Sequence, residues 1–402
     1  MSDSIENDSL LTGLRVLDLS RILAGPTCTM MLGDLGAEVI KVERPGAGDD
    51  TRTWGPPFVG GESAYYLSCN RNKKSITIDL QNPVGVDLIK ELTVKSDVLV
   101  ENFKPGFTNR FGIDYETLKK VNPKLIYCSI TAYGQDGPYR DRPGYDMVLS
   151  AAGGLMWITG ERDGDPCKVG VAITDVLTGV NAMGAILASL LWRERSGKGQ
   201  FIDCSLLDIQ VSGLANIASN YLVAGKEAKR WGTAHESIVP YQVFKTKAHP
   251  IAIAAANQKL WEIFAKALDR DEWLQDPRFT TNPLRVENRS DLIPLIAKRM
   301  LEKTCDEWME ILVKAAVPCG PVNNMERLFA DPQVIHRDMK AQVPHPTIGM
   351  LNLCGIPVKY SDTPGVIHMP PPTLGQHTDE ILTHLLELDA ERIKSLREDG
   401  VI

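Results

Sequence analysis

The stretch KVGVAITDVLTGVNAMGAILASLLWRERSGKGQFIDCSLLD, Lys168 to Asp208, decides how the chain is read. It opens with a short apolar run, Val169 to Ile173, followed by Thr174 and Asp175 and then a nearly uncharged segment to Trp192. Arg193, Glu194 and Arg195 come next, and Ser196-Gly197-Lys198-Gly199 leads into a second β-like run, Phe201 to Leu206. That order predicts strand, helix, turn, strand. The middle segment is apolar all round, which places a helix either inside a core or across a bilayer. It falls short of the ~20 residues a bilayer requires. It also carries Gly179, Asn181 and Gly184, so a buried helix with close-packing small residues is expected.

Asp175 stands where that helix begins and is the only acidic residue between Asp165 and Glu194. Two readings of it are open. Asp is a preferred N-cap, stabilised at a helix N-terminus by ~0.3–1 kcal/mol. A carboxylate held there also suits nucleophilic attack on an acyl group, with nearby backbone N–H groups to stabilise the developing charge.

The surrounding chain favours an α/β protein. Leu14 to Leu19, Glu38 to Glu43, Ser75 to Leu80, Asp97 to Val100 and Leu125 to Thr131 read as strands. Helical patterns separate them at Leu23 to Leu35, Gly85 to Val94 and Tyr115 to Lys120. Alternation of this kind implies a parallel sheet, whose ligands sit beyond the carboxyl ends of the strands. Arg44, Asn102 and Tyr133 fall at or just after such ends. No G-x-G-x-x-G and no G-x-x-x-x-G-K-[ST] occurs, so the dinucleotide and P-loop fingerprints are absent. Gly197-Lys198-Gly199 reads as a helix-terminating turn.

Near Gly225 the composition changes. GKEAKRWGTAHESIVPYQ is charged, then turn-rich, and reads as a crossing into a smaller domain. That domain is expected to hold a strand at Ile251 to Ala255 and helices at Lys259 to Leu268, Ser290 to Leu301 and Cys305 to Ala315. Val317 to Val322 reads as a rigid link back, Met350 to Val358 as β-like, and Thr378 as the cap of a final helix. The expected division is 1–224 for the first part of a large domain, 225–325 for a small domain and 326–402 for a return to the large one.

The bulk numbers agree with a globular protein. A chain of 402 residues, 43% hydrophobic and 24% charged, is long enough for about two to three domains with a sizeable core. A net charge of −7 argues against general nucleic-acid binding. Eight dispersed cysteines form no C-x-x-C pair and no Cys/His cluster, so they read as buried thiols rather than a disulfide frame or zinc site. MSDSIENDSLL at the N-terminus has neither a secretory nor an Arg-rich transit character.

Six segments together carry a family resemblance. They are LDLSRILAGPTCTMMLGDLGAEVIKVERPGAGDDTR, SCNRNKKSITIDL, VENFKPG, RPGYDMVLSAAGGLM, the Asp175 stretch with RSGKGQFIDCSLLD, and PPPTLGQHTDEIL. In this order, and nearly end to end, the chain resembles the class III CoA-transferases, a group that also contains 2-methylacyl-CoA racemases. The resemblance implies a Rossmann-like large α/β domain built from both chain ends, a smaller α/β domain, and an interlocked homodimer. It implies Asp175 as the catalytic nucleophile. It places coenzyme A against Leu23, Ala24, Arg44, Ile78, Asp79, Leu80, Gln81, Asn102, Phe103, Lys104, Arg110, Arg142 and Tyr145. Arg side chains suit CoA's phosphates through forked, charge-assisted bonds, and Phe103 offers adenine an apolar face.

The reaction so implied needs no metal and no permanently bound cofactor; CoA is a substrate that shuttles between two acids. The partners expected are acyl-CoA, a carboxylic acid and a second copy of the chain, with no nucleic acid and no membrane. Two alternatives remain open. A racemase needs a two-base site, and the racemase branch has a His where Tyr145 stands; this chain has no His before His235. A phenol with a pKa of ~10 is a poor replacement. A non-catalytic acyl-CoA-binding subunit is the other, and the presence of Asp175 speaks against it.

Within the family, GTAHESIVPYQVFKTK lacks the glycine run of formyl-CoA transferases. Together with PVNNMERLFADPQVIHRDM it is similar to the succinyl-CoA:glutarate branch, also called succinate–hydroxymethylglutarate CoA-transferase. A dicarboxylate acceptor leaves one carboxylate to be recognised. His235, Ser237 or a nearby Arg could donate to it, while Glu236 would repel it unless protonated or turned away; a polar hinge is the other reading of this stretch. The expected compartment is the cytoplasm for a bacterial chain, and the mitochondrial matrix for a eukaryotic chain with its presequence removed.

Overall fold

The computed structural model describes residues 9–402. The N-terminal residues 1–8, on which most of the targeting argument rests, lie outside them. The chain divides into two compact units. The first runs up to Leu155 and takes in Val169–Ala224 and Pro332–Ile402; the second is Met156–Lys168 with Gly225–Asp331. The second unit thus includes a short piece, 156–168, that the sequence reading left in the large domain.

The first unit is built on six parallel strands: β1 (Arg15–Asp18), β2 (Glu38–Glu43), β3 (Lys73–Thr77), β4 (Val98–Glu101), β5 (Ile126–Thr131) and β6 (Phe201–Ser205). Their spatial order is β3-β2-β1-β4-β5-β6. This is a doubly wound sheet whose order reverses between β1 and β4, the point where such folds open a crevice for ligands. Leu17 pairs with Ile40 on one side and Leu99 on the other. Because side chains alternate across the pleat, Leu17, Ile40 and Leu99 face one core while Val16, Val39 and Val98 face the other. Burial on both faces explains why these strands read as nearly continuous apolar runs.

The face of Leu17 is covered by α2 (Pro83–Val94) and by the C-terminal helices Thr378–Leu386 and Ala390–Glu398, which bring Ile381, Leu382, Ile393 and Leu396 into the core. The face of Val16 is covered by α1 (Ala24–Asp34) and by α4 (Ile173–Ser196), with α3 (Asp146–Ala152) alongside. Contact between α1 and α4 is backbone-close: a Cβ on Gly179 would lie 2.7 Å from the carbonyl oxygen of Ala24. Gly197, at φ +69°, ends α4 in the left-handed conformation that glycine supplies without strain.

The second unit has a three-stranded antiparallel sheet in which Ile251–Ala254 lies between Tyr241–Phe244 and Cys319–Pro321. Ile251 and Ile253 point into a core of Trp261, Phe264, Phe279, Ile296 and Trp308, while Ala252 is exposed, the period-two signature of a half-buried strand.

Several expectations are corrected. Val169–Ile173 forms no strand; the sheet is completed by β6, and Gly170 interrupts the run. α4 has 24 residues and, by length and composition, could cross a bilayer. It is buried along one stripe only, Thr174, Thr178, Ala182, Ile186, Ser189 and Leu190, while Val180, Leu191 and Trp192 are exposed. Val317 to Val322 is not merely a link, because Cys319–Pro321 pairs with Ile251–Ile253. Thr378 is the first helical residue rather than the cap, its hydroxyl taken up by Gly375 O, and Ala390–Glu398 follows as the last helix. Of the eight free cysteines, Cys167 and Cys354 are exposed and Cys319 is half-buried, so the thiols are not uniformly core residues.

Candidate active site

The crevice at the strand switch is shaped by two loops. After β1 the chain runs Ser20-Arg21-Ile22-Leu23 into α1, and after β4 it runs Asn102-Phe103-Lys104. Asn102 ties them together: its side-chain oxygen accepts the Arg21 N–H at 2.8 Å, and its amide donates to Arg21 O at 2.7 Å. Ile22 has φ +72°, a strained conformation for a β-branched residue. It is held there because its N–H donates to the Asp49 carboxylate at 3.2 Å. Asp49 is in turn fixed by the buried Lys41 ammonium at 2.9 Å. Burial alone would raise the Asp49 pKa, but the Lys41 charge and the Thr51 amide outweigh it and hold the carboxylate below its usual range. A second buried pair, Lys73 with Asp18 at 3.1 Å, anchors the start of the same loop, since Asp18 also accepts the Ser20 N–H. Stripping one partner from such a pair costs about 3–5 kcal/mol, so the loop rests on a rigid base.

A cavity of about 270 Å³ opens above these loops. Leu23, Ala24, Asn102, Phe103, Lys104, Arg142, Tyr145 and Asp175 line it. A second cavity of about 170 Å³ is lined by Arg44 and the Ile78–Gln81 run. The Phe103 ring belongs to both walls. Arg110 lines neither and is exposed beside Phe111. The polar atoms of Asn102 are committed to Arg21, so its clearest task is to shape the loop. Arg44 is paired with Asp50 at 2.6 Å. His235, Glu236 and Ser237 belong to the second unit: His235 Nδ1 accepts the Ser237 N–H at 3.0 Å, and Glu236 pairs with Lys226 at 2.6 Å.

Sequence reasoning missed Arg21 and Arg140, which add two cations to the first cavity, and Asp50, which pairs with Arg21 at 3.1 Å. It also missed Asp146. Arg21 sits beside the loop residues that were singled out, so its position after a strand end was a usable signal; Arg140 and Asp146 gave none.

Asp175 is not the helix cap. It lies inside the first turn of α4, after the N-cap Ala172. Capping falls to Asp146, whose Oδ1 accepts the N–H of Thr174 at 2.8 Å and of Asp175 at 3.2 Å. No donor among the described residues hydrogen-bonds the Asp175 carboxylate, which is half-buried and lines the cavity. Burial first, and the neighbouring Asp146 charge second, push its pKa up to about 7. Tyr65, packed in the same cluster as Leu23 and Val176, has its phenol pushed to about 12 by burial and then by the Asp175 charge. The site therefore presents one carboxylate of raised basicity, free of structural duties, beside a cavity rimmed by Arg21, Lys104, Arg140 and Arg142. Such an arrangement can accept a polyanionic ligand and bring an electrophile to Asp175.

The model of CoA-transferase family III matches residues 11–378. The chain belongs to CoA-transferase family III. It is 52% identical over 398 residues to the succinyl-CoA:glutarate CoA-transferase of Homo sapiens, a match spanning 99% of this chain and 91% of that protein. It is 42% identical over 391 residues to the succinate–glutarate CoA-transferase of Agrobacterium fabrum, spanning 96% and 98%. Among solved structures, a CAIB/BAIF family protein from Brucella suis superposes with a TM-score of 0.85 at 43% identity, covering 94% of this chain and 99% of that one. As a family III member the chain is an enzyme, and CoA thioesters are its substrates.

Proposed function

We propose that this family III enzyme moves CoA from succinyl-CoA to glutarate or a related dicarboxylate, with Asp175 as the group that becomes acylated. The observation that carries the reading is the release of the Asp175 carboxylate from capping, which Asp146 performs in its place. Relatives named for succinyl-CoA and glutarate match over nearly the full length of this chain.

In the forward half, an Asp175 oxygen attacks the thioester carbonyl and the C–S bond breaks, giving a mixed anhydride and CoA thiolate. The thiolate attacks the Asp175 carbonyl, succinate departs with one oxygen of Asp175, and an aspartyl-CoA thioester remains. The acceptor carboxylate then attacks that thioester and expels the thiolate. The thiolate finally attacks the acceptor's acyl carbon, leaving an acceptor oxygen on Asp175. No net proton or electron is consumed. Ionised Asp175 is required, and its raised basicity makes the ionised form a stronger nucleophile. In this reading the Arg and Lys groups of the rim pair with CoA phosphates and Phe103 covers an apolar face of the nucleotide; their lining of the two cavities supports it.

The oxygen bookkeeping supplies the experiment. Glutarate labelled with oxygen-18 in its carboxylates should leave one label on the peptide carrying Asp175 after turnover. Asp175→Asn should abolish both transfer and labelling. Turnover without label at Asp175 would reject the acyl-aspartate route.

We also propose that the enzyme works as a homodimer. α4 and the helices Leu206–Gly213 and Ala215–Ala224 leave Leu191, Trp192, Tyr221, Leu222 and Val223 open to solvent, with Leu222 80% and Val223 87% exposed. Apolar surface of this kind marks an interface. A second copy is the occupant the family resemblance implies.

A further inference from the structure

One acid of the first unit stands between its two cavities. Asp50 gives one oxygen to each of two guanidinium groups: Oδ1 accepts from Arg44 at 2.6 Å, and Oδ2 pairs with Arg21 at 3.1 Å. Arg21 lines both cavities, Arg44 lines the second and Asp50 the first. Neighbouring acids are engaged differently. Asp49 is paired with the buried Lys41 at 2.9 Å and Glu43 with Arg52 at 2.7 Å, and neither of those cations lines a cavity. Among the described residues, Asp50 is thus the acid whose two partners both face the space a ligand would fill.

The carboxylate of Asp50 does what a bound anion would do. By reaching both guanidinium groups, it shows that Arg21 and Arg44 lie within the span of one anionic group. Without an anion between them the two cations would repel each other. A phosphate has a similar reach, more oxygens and more charge, and it suits guanidinium forks at least as well. The Asp50 side chain is 37% exposed, and ion pairs this open to water are weak and easily broken. Nothing else holds that carboxylate among the described residues: Thr53 Oγ1 donates to the backbone oxygen of Asp50, at 2.9 Å, and not to its side chain. Asp50 is therefore free to turn outward when a stronger anion arrives.

We propose that Asp50 is a built-in stand-in for a ligand phosphate, holding Arg21 and Arg44 together in the free enzyme and displaced from them by one phosphate of CoA. This inference rests on the reading of the cation rim as the place of the CoA phosphates. It goes further by making CoA binding a competition. The two guanidinium groups stay at bridging distance before the ligand arrives, and the acid that held them weakens binding enough for the product thioester to leave.

Asp50→Asn keeps the shape and removes the charge; Asp50→Ala removes both. Titration calorimetry with CoA is run on wild type, on both variants, and on Asp50→Asn combined with Arg44→Gln. Each single variant should bind CoA about five-fold tighter than wild type at low salt, and the gain should shrink at high salt, which screens the charge removed. The combined variant should lose most of the gain. KM for succinyl-CoA should fall in the single variants while KM for glutarate is unchanged. A residue that merely kept the two arginines in position would give the opposite sign, so equal or weaker CoA binding in both variants would overturn the stand-in. Arg21→Gln and Arg44→Gln separate this failure from that of the underlying reading. If both bind CoA as wild type does, or if wild type binds no CoA, the phosphates do not lie on these arginines and the rim reading falls together with the stand-in. If binding depends on the arginines but gains nothing from loss of the Asp50 charge, the stand-in alone falls.

Discussion

Asp146 Oδ1 accepts the backbone N–H of Asp175 at 3.2 Å, so one carboxylate positions the backbone of another while its charge discourages that other from ionising. Asp146 thereby satisfies the helix terminus and leaves the Asp175 side chain free. Burial remains the larger cause of the raised pKa, and Asp146 adds to it.

A pH profile should expose this coupling. In the proposed route Asp175 must be ionised to attack, so kcat/KM for succinyl-CoA should rise with pH through a single ionisation near 7 and level off above it. Asp146→Asn keeps an oxygen for the two amides and removes the negative charge. Its acidic limb should move to lower pH, by less than the whole displacement, because burial is untouched. An unmoved limb in this variant would mean that another group titrates.

The same shift costs stability. An Asp with an ordinary pKa when unfolded and a pKa of about 7 when folded binds more protons in the native state across that interval. Stability therefore falls as pH rises from about 4 to about 7, at up to about 1.4 kcal/mol per unit. Asp175→Asn removes the loss. Its melting temperature should match wild type near pH 4 and exceed it at pH 8, in a protein that has lost transfer. Parallel melting curves at both pH values would show that Asp175 is not held in an unfavourable charged state.

How far the sequence alone reached follows from the range of the forces involved. β2 is found over Glu38–Glu43 as read, because local alternation and burial agree there. Asp175 could be singled out, but its two roles could not be separated. The deciding residue, Asp146, lies 29 positions away and meets α4 only after folding. Arg140 reaches the cavity by the same long-range route. Lys340–His345 went unread because Pro344 interrupts its pattern; its pairing with Gly349–Cys354 creates the strand. The exposed side of α4 was read as buried because apolar residues cover the whole helix, and sequence cannot say which of them face the helix's own core.

Phe103 tests the cavities. Its ring stacks on Phe107 at 4.6 Å, lies under the Arg21 guanidinium at 5.5 Å, and its N–H is held by Glu101 at 2.7 Å. Phe103→Ala removes the wall shared by the two cavities. Aromatic stacking on a base is worth ~1–3 kcal/mol, so KM for succinyl-CoA should rise about ten-fold or more while KM for glutarate stays within about two-fold. A rise confined to glutarate would place the nucleotide elsewhere.

The exposed side of α4 makes the last prediction. Leu191 is 65% exposed and Trp192 53% exposed, at the carboxyl-terminal end of a helix whose other stripe is fully engaged with α1 and the sheet. Replacing Leu191 with Glu should leave the fold of one chain intact, because Leu191 belongs to none of the core clusters of the first unit. It should instead place a charge where an apolar partner surface is expected, and an unpaired charge is costly to bury in an interface. Wild type should sediment at about twice the 44.3 kDa chain mass, and Leu191→Glu should shift toward the single-chain value or precipitate, with Val180→Glu behaving alike. A surface lysine changed to Glu, Lys394→Glu in the last helix, should leave the sedimentation unchanged. If wild type sediments as a single chain, this side of α4 is simply solvent-facing, and the dimer reading falls without touching the argument for Asp175.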